Sequence, residues 1–228
     1  RADYSNGLEL TNIVVCGTVT GVDNAIVNIF DDVVVTGTVG GTWSYTSKAQ
    51  YWVPGADYDF MAIGHDTAHY FDDTKDANGM PTVLTTLTND MLFATAHVED
   101  AAAAQGPVDF TFSHLLSKAK FTVTSNAQAQ GDYYHTVSGI TVANYGSGTY
   151  TIAYADEDED GMDDGTWAGG TAKNVSFSNI TEVTSADGNT GKSNAEMLLV
   201  PVTADFDVTF TVDLYKGTTK LGTETKTI

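Results

Sequence analysis

The sequence predicts an all-β protein made of two consecutive β-sandwich domains. Of its 228 residues, 34 are Thr and 22 are Val, and these stiff β-branched side chains favour pleated strands over helices. Several stretches alternate apolar and polar residues with period two, as half-buried strands do. Turn signals between them recur at the spacing typical of β-sandwiches. The chain is long enough to bury a core, and apolar residues make up 42% of it.

Short alternating stretches predict the strands in order along the chain. Their alternating apolar members include Ala25, Val27 and Ile29; Val33 and Val35; Trp43 and Tyr45; Tyr58, Phe60 and Ala62; Ile140 and Val142; and Tyr150 and Ile152. Turns are predicted where Gly, Pro and Asn accept the backbone angles of tight turns, at Gly40-Gly41, Pro54-Gly55, Asn78-Gly79 and Gly146-Ser147-Gly148.

The clearest strand lies near the end of the chain. Its apolar residues Phe206, Val208, Phe210, Val212 and Leu214 alternate with polar residues, and we expect all five to face inward. A turn at Lys216-Gly217-Thr218-Thr219 predicts that this strand forms a hairpin with Lys220–Thr227.

The segment Val108–Thr124 changes the parity of its apolar positions. Phe110, Phe112 and His114 share one face, whereas the apolar series resumes on the other parity with Leu115, Ala119, Phe121 and Val123. A period-two strand changes parity only at a bulge or a brief helical turn, which we place at residues 114–117. We expect His114 to be a core or edge histidine on the core side of this break.

Asp90–Gln105 is the one segment with helical character. Thr88 or Asn89 could cap a helix, and Ala101–Ala104 favour one. Met91-Leu92-Phe93 fit a strand leading into a loop equally well, and we prefer the strand. Gly106-Pro107 breaks the segment and marks the predicted boundary between an N-terminal sandwich domain, residues 1–105, and a C-terminal sandwich domain, residues 106–228.

The charge of the chain excludes nucleic acid as a partner. It has 30 acidic and 10 basic residues and a formal net charge of -20, whereas phosphate binding needs clustered Lys and Arg. The part before residue 105 has 3 basic and 14 acidic residues and the remainder has 7 and 16, so acidity is expected over the whole surface. We also expect no transmembrane segment, because no apolar run approaches the roughly 20 residues that a membrane-spanning helix needs.

Three motifs, in order, resemble the fimbrillin-like proteins of Bacteroides and related bacteria. Trp43, Tyr51-Trp52-Val53-Pro54 and Phe60-Met61-Ala62 resemble the family pattern W, YWP and F-x-A. Asp90–Thr95 resembles its D-L-L-Y-A-T segment, and Val108–Val123 resembles its V-x-L-x-F-x-H-x-L-x-K-x-x-F-x-V strand. Each motif is weak alone, but together they are moderately specific and span Trp43 to Val123.

The resemblance implies two transthyretin-like sandwiches of Greek-key type, export as a lipoprotein, and polymerisation into surface fimbriae as a pilin, tip or anchor subunit. It implies cleavage after an arginine near the mature start, and Arg1-Ala2 resembles such a site. It also implies other fimbrial subunits as partners by donor-strand exchange, since a sandwich that lacks a strand has an open edge that a donated strand can fill.

An acidic loop is the sharpest local motif. Asp156, Asp158, Asp160 and Gly161 have the spacing that begins an EF-type calcium loop, and Asp164 falls at its ninth position. Trp167 stands at position 12, where such loops carry a bidentate Glu. Calcium is the one candidate cofactor, and a solvated acidic loop is the simpler alternative, as a hairpin turn is at Asp76-Ala77-Asn78-Gly79.

Catalysis has little support in the sequence, and we expect no enzyme. The single cysteine, Cys16, lies in the apolar run Ile13–Gly17 without a nearby His, so we expect it to be a buried strand residue. His65 and His69 have zinc-ligand spacing but stand in a segment that is typical of a loop. No Gly-x-Ser-x-Gly elbow is present.

The sequence therefore predicts an exported fimbrial subunit, with a carbohydrate-binding or host-ligand-binding module as the alternative. The alternative depends on whether several aromatic side chains are exposed together, because an aromatic platform stacks on sugars. An open trough with an apolar floor favours the fimbrial subunit instead.

Overall fold

The computed structural model describes residues 10–21, 23–38, 40–64, 71–86, 91–102, 105–124, 130–152, 165–177, 183–184, 190–192, 197–201 and 205–228. These residues form strands and irregular segments without an α-helix, so the all-β prediction is confirmed. The Greek-key topology of transthyretin type stays a prediction. None of the described residues forms a helix that could span a membrane.

Eighteen strands lie within the described residues. They are β1 (Asn12–Thr20), β2 (Ile26–Thr36), β3 (Ser44–Tyr45), β4 (Asp57–Gly64), β5 (Val83–Thr86), β6 (Leu92–Val98), β7 (Ser113–His114), β8 (Ser117–Ala119), β9 (Thr122–Thr124), β10 (Tyr133–Tyr145), β11 (Gly148–Ile152), β12 (Gly165–Gly169), β13 (Ala172–Phe177), β14 (Val183–Thr184), β15 (Thr190–Lys192), β16 (Met197–Leu199), β17 (Val208–Lys216) and β18 (Thr219–Thr227).

The chain divides into two compact units. Unit 1 comprises Arg1–Leu115 and Thr149–Ala168, and unit 2 comprises Leu116–Gly148 and Gly169–Ile228. The predicted boundary at Gly106-Pro107 differs from this division, because residues 106–115 lie in unit 1 and residues 149–168 return to it. A local breaker marks where an element ends, whereas a compact unit depends on contacts between segments that are distant in the chain.

Unit 1 is built on a six-stranded sheet in the order β3-β2-β1-β4-β6-β7. Residues 13–18 of β1 are buried without interruption, as are residues 60–64 of β4, because apolar side chains cover both faces of the sheet. A three-stranded sheet, β12-β11-β5, belongs to the same unit. One face of the large sheet carries what we call the sheet-backed core, with Val14, Cys16, Met61, Ile63, Phe71, Met80, Met91, Phe93, Leu115, Tyr150 and Ile152.

Unit 2 is built on a five-stranded sheet in which β13, β10, β17 and β18 lie side by side and β14 also pairs with β10. Its core contains Ile140, Val142, Val175, Phe177 and Leu199. Two short pairs, β9 with β15 and β8 with β16, complete the strands of this unit within the described residues.

The predicted hairpin near the end of the chain is confirmed, but its predicted core face is only partly correct. β17 pairs with β18 from Thr209↔Thr227 to Lys216↔Thr219, and Gly217 turns the chain with φ of 56°. Phe206 and Leu214 are 46% and 45% exposed, whereas Asp213 is buried. Leu214 stands opposite Gly222 of β18, which has no side chain to cover it, and Phe206 precedes the first residue of β17.

The structure decides between the alternatives that the sequence left open at two further segments. Leu92–Val98 forms strand β6 and not a helix, because its apolar side chains fill the centre of the large sheet. The parity change at residues 114–117 is the point where the chain leaves unit 1 for unit 2. β7 pairs with β6 before it, and β8 pairs with β16 after it.

Candidate functional site

The second face of the large sheet in unit 1 carries an incompletely covered apolar cluster, which we call the open core. Its buried members are Ile13, Val15, Ala56, Tyr58, Phe60, Ala62 and Ala101, and its partly buried members are Leu10, Val19, Ile29, Phe30, Val35, Trp43, Trp52, Ala96, Val98, Val108, Phe110 and Phe112. The sheet-backed core, by contrast, has Trp167 as its one partly buried member in the described chain.

The open core lacks a second sheet within the described residues. The segments that lie over it, residues 43–56, 101–102 and 105–112, are irregular apart from the two residues of β3. A sandwich normally covers such a face with strands whose side chains interdigitate. Irregular segments in place of strands therefore cover this face, and its floor residues Ile13, Val15 and Phe60 are only 5–6% exposed, so the open trough of the sequence analysis stays a prediction.

Strand β6 has, beside the open core, a backbone edge that no strand of the described chain pairs with along its full length. β6 pairs with β4 along its whole length, from Gly64↔Leu92 to Tyr58↔Val98. On its other side β7 pairs only with Leu92 and Phe93, so no described strand covers Ala94–Val98. Ala96 and Val98 belong to the open core. An added strand at this position would find both unpaired backbone groups and apolar side chains.

Strand β2, at the other side of the sheet, is protected in its middle. Its register with β1 shifts between Val15 and Gly17 and again between Gly17 and Thr18, and such bulges twist an edge away from further pairing. The Gln50 side chain donates a hydrogen bond of 3.3 Å to the Ile29 carbonyl. The exposed apolar side chains of β2, Ile26, Val27 and Val34, lie toward the two ends of the strand.

Cys16 is a buried strand residue, as predicted. Its thiol is fully buried opposite the first bulge of β2. It donates to Asp32 Oδ1 at 3.5 Å, and the Asp32 N–H donates to its Sγ at 3.4 Å. Burial raises the pKa of the Cys16 thiol to about 12, so the reactive thiolate is scarce at neutral pH.

The predicted calcium ligands lie outside the described residues. Asp156, Asp158, Asp160 and Asp164 belong to this group, as do Arg1, His65 and His69, so calcium binding and arginine processing stay predictions. Trp167 packs on Tyr150 with ring centroids 5.3 Å apart and lies against the sheet-backed core. No cluster of metal-ligating side chains occurs among the residues that the structure describes.

The Asp76 loop forms the hairpin turn that the sequence favoured over a cation loop. Asp76 Oδ1 accepts the N–H groups of Asn78 at 2.8 Å and Met80 at 2.9 Å. The Met80 carbonyl in turn accepts the Asp76 N–H at 2.9 Å. Because two backbone donors occupy this oxygen, the carboxylate holds the turn closed.

His97 and Asp59 form a pair that sequence reasoning missed. His97 Nδ1 lies 2.6 Å from Asp59 Oδ1, because the two residues stand opposite each other on β6 and β4. Both side chains are about half exposed, which is typical of a solvated surface pair. No sequence signal marks it, since 38 residues separate the partners and only the strand register brings them together. His114 lies half-buried on the short edge strand β7.

The aromatic side chains do not form a sugar platform in the described chain. Tyr51, Tyr133 and Phe206 are the exposed aromatics there. Tyr134 and Tyr215 are stacked with centroids 5.2 Å apart and an interplanar angle of 7°, so each ring covers one face of the other. A row of exposed parallel rings, which would favour the carbohydrate-binding alternative, is absent from this part of the structure.

Fold and site together describe an all-β sandwich protein with a strand-deficient apolar face. The family model for fimbrillin-like proteins matches residues 1–227, so the chain belongs to the fimbrillin-like family. The structure is similar to a fimbrial protein from Bacteroides vulgatus, with a TM-score of 0.61, 17% identity, and coverage of 95% of this chain and 80% of that one. A comparison with curated proteins gave no match.

Proposed function

We propose that the chain is a non-enzymatic structural subunit of cell-surface fimbriae that assembles by strand complementation. The observation that carries this proposal is the open core, which lies beside the free edge of β6 at Ala94–Val98. Membership of the fimbrillin-like family supports it. Export as a lipoprotein and trimming after Arg1 are parts of the same proposal.

A donated strand would stabilise unit 1 in two ways. Its backbone would pair with Ala94–Val98, which satisfies N–H and C=O groups along the edge. Its alternate side chains would cover the partly buried apolar residues of the open core, and each buried CH₂ group contributes roughly 0.8 kcal/mol. The same physics explains regulation by cleavage, because a leader strand that fills the trough prevents assembly until a protease removes it.

Arg1 makes the processing step directly testable, since it is the single arginine in the sequence. A precursor that retains residues upstream of Arg1 is treated with an arginine-specific protease and followed by size-exclusion chromatography with light scattering. We expect a ladder of oligomers after cleavage and none before it. The Arg1→Ala precursor is the control, because it presents no arginine at the junction.

The position of the donated strand is tested with a matched pair of substitutions in one sheet. Val98→Asp places a carboxylate in the open core beside the free edge, whereas Val34→Asp places one on β2. We expect Val98→Asp to suppress the ladder and Val34→Asp to retain it, with Trp fluorescence confirming that both subunits are folded. A cleaved protein that stays monomeric, or equal ladders from both variants, would contradict the proposal.

A further inference from the structure

The edge strand β18 of unit 2 presents a second, chemically different surface. It pairs with β17 on one side and is the last strand of its sheet in the described chain. All nine of its residues are exposed. Its register with β17 is continuous from Leu214↔Gly222 to Thr209↔Thr227, and the bulge lies beyond this stretch, between Leu214 and Tyr215. Natural proteins usually blunt such long, regular edges.

The hydrogen bonds of the hairpin determine which backbone groups point outward. Val208 and Ile228 exchange both backbone hydrogen bonds, at 2.9 and 3.0 Å. Hydrogen-bonded and non-hydrogen-bonded pairs alternate along an antiparallel ladder, so Lys226 and Glu224 also direct their backbone groups toward β17. The N–H and C=O groups of Thr223, Thr225 and Thr227 therefore point away from the sheet.

The side chains of this edge are complementary to themselves. Thr223, Thr225 and Thr227 lie on one face of the strand, and Glu224 and Lys226 lie on the other, because side chains alternate across a strand. An antiparallel copy of the strand with its two-fold axis at Thr225 places Glu224 opposite Lys226 of the second copy. Glu224 and Lys226 then form a non-hydrogen-bonded pair, in which opposed side chains approach most closely.

We propose that β18 pairs with β18 of a second copy of this chain, antiparallel and centred on Thr225. The two Thr225 residues exchange two backbone hydrogen bonds, and each Thr223 exchanges two with Thr227 of the other copy. Two Glu224–Lys226 ion pairs flank the axis. The contact joins two five-stranded sheets into one continuous sheet.

Other two-fold registers are less favourable. Centring the contact on Thr223 places Lys220 opposite Lys226 and brings the bulge at Leu221 into the pairing, so like charges meet where the ladder is irregular. Centring it on Thr227 leaves most of the strand without a partner. The Thr225 register alone uses the three outward-facing threonines and pairs opposite charges.

The distribution of charge between the units also favours contact through unit 2. The residues of unit 1 include 22 acidic and 3 basic side chains, whereas those of unit 2 include 8 acidic and 7 basic. The net charges are therefore -19 and -1. A contact through unit 2 therefore joins surfaces of nearly balanced charge, whereas a contact between two copies of unit 1 joins strongly like-charged ones.

This contact goes beyond the proposed fimbrial function and is independent of it. A two-fold contact between identical surfaces closes with two copies, whereas strand complementation is head-to-tail and continues. The dimer is therefore expected from the uncleaved precursor as well, before any ladder forms. A dimer without a ladder, or a ladder without a dimer, separates the two proposals.

Charge-swap variants test the register. Sedimentation over a range of protein concentrations gives the dimer dissociation constant. Glu224→Lys and Lys226→Glu each replace two attractions by two repulsions, so each is expected to raise this constant roughly 10- to 30-fold. The double variant Glu224→Lys/Lys226→Glu restores complementarity and is expected to restore dimerisation. A double variant as weak as the single variants would overturn the proposed register.

A proline variant tests whether the backbone makes the contact. Thr225→Pro removes an N–H that points outward and is not used within the hairpin, so the subunit is expected to fold normally and remain monomeric. Thr225→Val keeps the N–H and is expected to dimerise, with circular dichroism confirming that both variants fold. A wild-type chain that stays monomeric at all accessible concentrations, or a Thr225→Pro chain that still dimerises, overturns the proposal.

Discussion

Replacing Phe93 by alanine tests whether the sheet-backed core holds unit 1 together. Phe93 lies in β6, is 1% exposed and is among the largest fully buried side chains. Its ring meets the Tyr150 ring at an angle of 66°, with centroids 5.9 Å apart. Tyr150 lies in β11 and belongs to the segment Thr149–Ala168, which joins unit 1 from a distant part of the chain. This contact therefore attaches β11 to the large sheet of unit 1.

The expected loss follows from the burial of this ring. A buried Phe→Ala substitution costs about 3–5 kcal/mol, because apolar surface is lost and a cavity remains. The edge-to-face contact with Tyr150 accounts for about 0.5–1.5 kcal/mol of it. With a urea m-value of about 2 kcal/mol/M, a loss of 4 kcal/mol lowers the unfolding midpoint by about 2 M. Tyr51→Ala, at an 83% exposed aromatic of the same unit, is expected to cost less than about 0.5 kcal/mol.

Tryptophan fluorescence isolates this effect. Trp43, Trp52 and Trp167 all belong to unit 1, so fluorescence follows the unfolding of unit 1 while circular dichroism follows both units. We expect Phe93→Ala to shift the fluorescence transition and leave the transition of unit 2 in place. Equal midpoints for Phe93→Ala and Tyr51→Ala would refute the reasoning that this core supports unit 1.

Two further predictions concern strand β1 and the hairpin of unit 2. Gly17→Ala places a Cβ 2.6 Å from Phe60 Cδ1 and 3.3 Å from the Asp59 carbonyl oxygen, so urea unfolding should show that the free energy of unfolding falls by about 1–3 kcal/mol. Gly222→Ala is the control, because its Cβ meets nothing within 4 Å. Equal effects of the two substitutions would count against the clash. Hydrogen bonds from Lys220 and Thr223 hold the pKa of Asp213 below its ordinary value of 3.8. The native carboxylate stays charged where the unfolded chain takes up a proton, so its stabilisation is present above about pH 4 and is lost as the pH falls through the lowered pKa. The stability difference between wild type and Asp213→Asn should therefore shrink on acidification, and a constant difference from about pH 7 to about pH 2 would contradict the role of this network.

The features that could be predicted from the sequence are those set by neighbouring residues. The β17–β18 hairpin follows from period-two alternation and from Gly217, which supplies the positive φ of the turn. Burial of Cys16 follows from the apolar run around it. The exposure of Leu214 does not follow from its own segment, because it depends on the strand register, which places Gly222 opposite it.

Which segments form each unit depends on contacts between distant parts of the chain, and the sequence could not predict it. A division near residue 105 gives the two parts almost equal numbers of acidic residues. The structure instead assigns residues 149–168, with seven carboxylates, to unit 1. The parity change at residues 114–117 correctly indicated a break in the strand, and the break occurs because the chain passes there from unit 1 to unit 2. The Asp59–His97 pair depends on strand register, which no local pattern revealed.

Three strand edges of the described chain differ in ways that suit different contacts. β2 is bulged, and the Gln50 side chain binds one of its carbonyl groups, so its middle resists pairing. The free part of β6 is short but adjoins the apolar open core, and burial of apolar side chains would favour a long-lived contact with the donated strand that we propose. β18 is longer and regular but carries threonines and charges, so pairing there gains backbone hydrogen bonds with little apolar burial. We therefore expect the β18 contact to be weaker and more sensitive to salt than the contact at β6, because exposed ion pairs are screened by ions.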